Sequence, residues 1–430
     1  MNQKLNAKIY GGQIPQGAVT VSGAKNSATR LLAASLISDE LVTLKNFPTE
    51  LVDAKYKIDL IRKCNGSVTV DKSEECLTIQ SSDLTTAHLD SNNYPIRTTY
   101  LLVAGQIKKA GRAIIPYPGG CKIGNRGYEL HSMVWEKLGA KVREYEDYLE
   151  ISVENGFKPA EINFPILTIG GTENALICAS TINGETIIKN AYISPEVEDL
   201  IRFLKSIGSQ IDVVGNSYVK VRGKNYLQGA IFSVMPDRIE ALTWMIYGVL
   251  AKGDITIKDV PFKAMEIPLI HIKEAGIDFY HNDRNVRITP DCLVNGSIQP
   301  FELACGTHPG IISDMQPFFV LLGLYANGIS RIFDYRYPER LKYCEELSKF
   351  YPGQLTWEKG KITTSALKKQ VKAATAQSTD LRGSMAVVIA GLLADGCSEI
   401  CNYEMALRGY NNLHSKLADL GISLDVTELQ

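Results

Sequence analysis

Apolar residues along this chain come in long runs, each followed by a small or polar turn and a short β-branched segment. The instances are "LLAASLISDELVTLKNF", "LLVAGQIKKAGRAIIPY", "LICASTINGETIIKNA", "WMIYGVLAKGDITIKDV", "LLGLYANGISRIFDY" and "VIAGLLADGCSEICNY". Runs that are apolar on most faces predict helices buried in a core, and the segments after them read as strands. The turn falls at Glu40, Gly111, Gly184, Gly253, Gly328 and Gly396, giving spacings of 71, 73, 69, 75 and 68 residues. Six units of about that length fill the 430 residues.

A second helix closes most units. "ELHSMVWEKLGAKV", "EDLIRFLKSIGSQI", "PLIHIKEAGIDF" and "NNLHSKLADLGISL" share an amphipathic run that ends in glycine before a strand. Glycine there is the usual C-terminal helix stop. Each unit reads as strand, helix, strand, helix, strand, so the fold class is α/β. The period is too long for the familiar solenoids and predicts a pseudo-symmetric globule of three units plus three. Pro236, in "FSVMPDRIEALTW", marks the midpoint. One lobe is expected at 25–236 and the other at 1–24 plus 237–430, with an active site in a cleft that can close.

Composition narrows the function. Hydrophobic residues make up 45% and charged residues 22%, as in a soluble globular protein. The formal net charge of -1 gives no global case for nucleic acid or a membrane surface. No apolar run is long enough to span a bilayer, and the first residues lack a secretory pattern, so a cytoplasmic location is expected. Nine cysteines, an odd and scattered set, fit a reducing compartment. Neither CxxC nor HExxH occurs, so no metal is expected. Cys64, Cys178, Cys305, Cys344 and Cys401 read as small buried hydrophobes.

Strand ends and helix N-termini are where amides and the helix dipole attract anions. Just before or at the start of the apolar helices stand Lys25 and Asn26, Arg97, Asp314, and Asp380 with Arg382; later loops add Arg126, Arg336 and Arg408. Cations recurring at one position of a repeat predict a small, highly charged anionic ligand. Cys121 differs from the other cysteines. In "YPGGCKIGNRG" it is flanked by glycines and by Lys122 and Arg126, surroundings that favour the thiolate. A nucleophile or a proton donor is expected there.

Together, "SGAKNSA", "PGGCKIGNR", "GTENA", "MPDRIEA", "SDMQ", "TDLRGS" and "LRGY", in order, resemble the enolpyruvyl transferase family over essentially the whole chain. The resemblance implies an inverted α/β barrel of two lobes, each of three βαβαββ-type repeats. It implies transfer of the enolpyruvyl group of phosphoenolpyruvate to a hydroxyl, with release of phosphate and no cofactor or metal. The cysteine loop points to the branch that acts on the 3-hydroxyl of UDP-N-acetylglucosamine, the first committed step of peptidoglycan precursor synthesis and the target of fosfomycin. Carried over residue by residue, Cys121 protonates the methylene carbon. Lys25, Arg126 and Arg408 hold phosphoenolpyruvate, with Lys25 and Arg408 counted among the catalytic residues. Arg336 and Arg382 add cations, Arg97 lies near the nucleotide sugar, and Asp314 is the candidate base. Asn26, Glu129, Thr168 and Ile332 complete the expected substrate contacts. The partners implied are phosphoenolpyruvate and a uridine nucleotide sugar, and nothing fixes an oligomeric state.

The chain departs from the family around the nucleotide. "GYELH" stands where the family usually has "PVDLH", Ile166 where it tends to have a lysine, and Met405 where it has a histidine. The segment "YPERLKYCEELSKFYPGQLTWEKG" is also atypical. Two other readings therefore stand beside the amino-sugar one. The first is a paralogue acting on another uridine nucleotide, such as UMP, in nucleoside metabolism. The second is a non-catalytic anion-binding protein on the same fold.

Overall fold

A computed structural model of the chain describes residues 4–88, 94–117, 127–367 and 370–429. These divide into two compact units, one comprising 4–22 and 236–429, the other 23–117 and 127–235. We call them the 236–429 unit and the 23–235 unit.

Thirteen helices are present among the described residues. In chain order they are α1 (Lys25–Ala34), α2 (Val52–Lys63), α3 (Val103–Ala110), α4 (Glu129–Lys137), α5 (Ile169–Ser180), α6 (Pro195–Ser206) and α7 (Arg238–Leu250). Then follow α8 (Glu266–Glu274), α9 (Gln316–Leu324), α10 (Lys342–Phe350), α11 (Leu381–Leu393), α12 (Glu404–Leu407) and α13 (Leu413–Asp419). The odd-numbered helices α1 to α11 are the six apolar runs of the sequence. In α7 all 13 residues are buried, and in α9 all 9. A helix apolar on every face gains most when enclosed, at about 1.5–3 kcal/mol for each large aliphatic side chain removed from water.

The glycines behave as the pattern predicts. Gly139, Gly208, Gly276 and Gly421, which follow α4, α6, α8 and α13, all have positive φ, between 74° and 114°. A β-carbon would strain this left-handed turn, so the amphipathic helices stop there. The atypical segment after Arg336 contains α10, the closing helix of its own unit.

Each repeat carries its own sheet. Four of the six sheets have four strands, one has five and one has three. Five of the six contain a parallel pair. In the third repeat Glu161–Asn163 and Gly184–Lys189 run parallel, joined through α5, which is a βαβ crossover. The chain's ends complete the 236–429 unit. Gln16–Thr20 pairs in parallel with Asp254–Lys258, and Lys4–Tyr10 lies between Cys397–Cys401 and Leu424–Leu429. Ala230–Ser233 closes the other unit against Val42–Lys45. Each unit has its own hydrophobic core, one around Trp244, Tyr247 and Tyr343, the other around Trp135, Leu31 and Phe164.

Four of the five cysteines assigned to the core are buried; Cys401, near a strand end, is only half-buried. Among the described residues no helix is long and apolar enough to cross a membrane, and no cluster of His, Cys, Asp and Glu is arranged to hold a metal.

Candidate active site

Several expected residues stand at or just before helix starts, Lys25 and Asn26 at α1 and Asp380 and Arg382 at α11, while others lie on loops or strands. In the 236–429 unit, α7 and α11 begin with aspartates that cap them. Asp237 Oδ1 accepts the amides of Ile239 (2.8 Å) and Glu240 (3.2 Å), and Asp380 Oδ1 accepts those of Arg382 and Gly383 at 3.2 Å each. Such caps satisfy amides that would otherwise be orphaned in the interior.

The same carboxylates bind two buried guanidinium groups. Arg382 Nη2 donates to Asp237 Oδ2 at 3.3 Å and Nη1 to the carbonyl of Gly409 at 3.0 Å, with Nε 3.9 Å from Asp314 Oδ2. Its charge also lies 5.1 Å from the Tyr410 ring centre. Arg340 Nη1 donates to Asp314 Oδ1 and to the carbonyl of Ser313, both at 2.8 Å, and Nη2 donates to Asp380 Oδ1 at 2.5 Å. The result is an alternating chain: Asp237, Arg382, Asp314, Arg340, Asp380. Burial disfavours the charge on both arginines. For Arg340 the fields of Asp380 and Asp314 outweigh it, and for Arg382 those of Asp237, Tyr410 and Asp314; both groups are held above the ordinary guanidinium range.

Asp314 is the member of this chain with side-chain access, 30% exposed against 3% for Arg340 and 2% for Arg382. Its carboxylate is therefore oriented from the protein side and open on another, the arrangement a proton acceptor needs. Arg382 was expected to meet the ligand as a further cation. With its side chain 2% exposed and its donors directed to Asp237, Asp314 and Gly409, it instead fixes Asp314 and the start of α11.

Arg340, which bridges Asp314 and Asp380, is the residue of this network that the sequence reading missed. It lies in the same "FDYRYPER" stretch from which Arg336 was chosen. Arg336 is half-buried, its guanidinium 6.0 Å from the Tyr337 ring centre. Buried Asp334 organises this loop by accepting from the amides of Arg336 (2.9 Å) and Tyr337 (2.7 Å), Ser313 Oγ (3.0 Å) and Gln316 Nε2 (2.8 Å). Ile332 was expected to contact substrate. Its side chain is 0% exposed, in the core strand Ser330–Asp334 that leads into this loop. Arg408 ends α12, with Nη1 4.0 Å from Met405 Sδ.

In the 23–235 unit, Lys25 opens α1 and pairs with Asp53 of α2 at 3.0 Å. Asn26 Oδ1 accepts from Arg30 at 3.5 Å, and Arg30 is paired with Glu173 of the "GTENA" motif at 3.0 and 3.1 Å. Beneath them Lys57 is 0% exposed; Nζ donates to the carbonyls of Thr29 (2.8 Å) and Thr98 (3.1 Å). Burial, and next the neighbouring Arg30, push its ammonium well below the usual lysine range. Lys57 thus ties α1, which carries Lys25 and Asn26, to the turn that follows Arg97.

Arg97 Nη2 donates to the carbonyl of Gly127 at 2.7 Å, just before α4. Glu129 opens α4, and Thr168 caps α5, accepting the Gly171 amide at 3.2 Å. His131 of α4 stacks on Tyr100 with centroids 3.5 Å apart. Burial, and next Arg97, push it down to about 3, so its ring is neutral. Ile166, in the loop before α5, is 55% exposed. Cys121 and Arg126 lie outside the described residues.

A family model described as EPSP synthase (3-phosphoshikimate 1-carboxyvinyltransferase) matches residues 9–417. The UDP-N-acetylglucosamine 1-carboxyvinyltransferase of Hyphomonas neptunium is 32% identical over 424 residues, 97% of this chain and 97% of that protein. The protein of the same name from Nitratiruptor sp. is also 32% identical, over 97% of this chain and 98% of its own length. Among solved structures, the enolpyruvyl transferase NikO from Streptomyces tendae aligns with a TM-score of 0.89 at 21% identity, covering 100% of both chains. EPSP synthase from Acinetobacter baumannii aligns at 0.76 and 16% identity, over 98% of this chain and 100% of that one. These structural likenesses show a shared fold, that of the two-lobed inverted α/β barrel.

Proposed function

The chain belongs to the enolpyruvyl (1-carboxyvinyl) transferase family and is an enzyme of that class, and from that premise we propose that it transfers the enolpyruvyl group of phosphoenolpyruvate to the 3-hydroxyl of UDP-N-acetylglucosamine. One observation carries the choice of acceptor: relatives that bear this activity in their names are 32% identical across 97% of the chain.

The chemistry requires an anion site, an acid and a base. Phosphoenolpyruvate carries up to about three negative charges, which Lys25, Arg126 and Arg408 neutralise in this reading. Asp314 takes the proton of the acceptor hydroxyl as its oxygen bonds to C2, while the Cys121 thiol delivers a proton to C3. Loss of that added proton and of phosphate then restores the double bond on the new ether. Asp314 suits its part because Arg340 and Arg382 fix the carboxylate from behind and leave it accessible. Arg97, Asn26, Glu129 and Thr168 contribute to the nucleotide-sugar side. Nothing in the scheme calls for a cofactor, and a cytoplasmic location is part of this reading.

The test is phosphate release from phosphoenolpyruvate with UDP-N-acetylglucosamine, UMP and other uridine nucleotides as acceptors. Turnover with the amino-sugar nucleotide is expected. Turnover with UMP alone would overturn the assignment and make Ile166 and "GYELH" marks of a different acceptor.

A further inference from the structure

The departure "GYELH" has a structural consequence at Tyr128. Tyr117 follows the strand Arg112–Pro116, and Tyr128 precedes α4; nine residues between them, 118–126, lie outside the described part of the chain. The two tyrosine rings meet with centroids 5.7 Å apart at 53°. Tyr117 Oη donates to the carbonyl of Tyr145 at 2.7 Å. The Tyr128 hydroxyl lies beside the Glu144 carboxylate, and burial, then this carboxylate, raise the phenol to about 12, so it stays protonated. Glu144 and Tyr145 form the tip of the hairpin made by Lys141–Glu144 and Tyr148–Ser152, where Tyr145 stacks on Tyr148 at 4.5 Å and 10°. Both stems are thus fastened to one hairpin.

One residue before Tyr128, the carbonyl of Gly127 receives Arg97 at 2.7 Å. Glycine at 127 leaves the backbone free to rotate, so the neighbouring ring sets where that carbonyl points. The hydrogen bond in turn fixes one arm of the Arg97 guanidinium.

We propose that Tyr128, clasped by Tyr117 and Glu144, is a positioning residue for Arg97 and so tunes affinity for the nucleotide acceptor. This rests on the reading above that Arg97 contacts that acceptor. A valine at 128 would remove both the ring contact and the hydroxyl, whereas phenylalanine would remove only the hydroxyl beside Glu144.

A double-mutant cycle tests it, because residues acting through one another are non-additive while independent effects on stability add. The KM for UDP-N-acetylglucosamine is measured for wild type, Tyr128→Val, Arg97→Ala and the pair, with thermal melts as a control for folding. Tyr128→Val is expected to raise KM about tenfold with kcat nearly unchanged, and to add almost nothing once Arg97 is gone. Tyr128→Phe, which keeps the ring if valine prevents folding, is expected to give a smaller increase, also absent in the Arg97→Ala background. The same fold-change in both backgrounds, or no change in either, would overturn the proposal. If Tyr128→Val is silent while Arg97→Ala raises KM, only the clasp fails. If Arg97→Ala leaves KM unchanged, the role of Arg97 falls, and the positioning role with it.

Discussion

The two units carry their candidate residues in contrasting ways. In the 236–429 unit the charges form a closed alternation of three aspartates and two guanidinium groups, and every member but Asp314 is nearly inaccessible. In the 23–235 unit the candidate cations sit nearer the surface. Lys25 pairs with the Asp53 carboxylate, and Arg97 donates to the Gly127 carbonyl. The first arrangement is organised before any substrate arrives, which is how a proton acceptor keeps its geometry at no cost during reaction. The second keeps Lys25 and Arg97 at partly exposed positions beside polar neighbours. The comparison teaches that the two units hold their candidate groups differently, one by mutual burial of opposite charges and the other at partly exposed helix starts.

Four changes probe that contrast, from the largest effect to the smallest. Asp314→Asn removes the proton acceptor while keeping the shape, and should lower kcat by about 10²–10⁴-fold with a normal melting curve. An unchanged kcat in steady-state assays would remove Asp314 from the chemistry. Arg340→Met should break the alternation and leave Asp314 and Asp380 without their shared partner. Chemical denaturation should show a loss of about 3–5 kcal/mol, the usual consequence of stranding buried charge. A loss confined to activity would mean the frame is not structural.

The third change concerns pH and belongs to the other unit. His131 titrates near 3 when folded and near 6.5 when unfolded. Between those values the unfolded chain binds the extra proton, so this residue's contribution to stability is complete above about pH 6.5 and is lost as pH falls toward 3. At about 1.36 kcal/mol per pKa unit the loss at pH 4 is about 3 kcal/mol. His131→Phe should flatten that part of the stability profile, and equal slopes for variant and wild type would contradict the burial argument. The smallest effect is expected at the cap of α5: Thr168→Ala should cost about 1 kcal/mol in a denaturant melt, and a null result would leave the cap idle.

Much of this was legible in the sequence. The period near 72 residues marks six buried helices because a helix apolar all round has nowhere else to go, and the glycines after α4, α6, α8 and α13 mark helix ends because the turn needs a positive φ. The helix-start rule placed Asp314, Asp380, Lys25 and Arg97 near where helices begin, and the structure has them there. It failed at Arg340, which lies on a loop before α10 and reaches the helix starts through space, a proximity that no local pattern encodes. Ile332, named from the family resemblance, lies in a core strand where alternation buries its side chain, and the loop beyond it carries the polar contacts. The pairing of Tyr117 with Tyr128 depends on a hairpin farther along the chain, and "GYELH" alone shows only that the backbone there is altered.

The central claim is that a thiol acid and the Asp314 base together drive enolpyruvyl transfer. It is tested most directly by phosphate release in Cys121→Ala and Cys121→Asp, with phosphoenolpyruvate and UDP-N-acetylglucosamine at saturation. The account predicts that alanine abolishes release, whereas aspartate, which can also carry a proton, retains it. Full activity in Cys121→Ala would contradict the account.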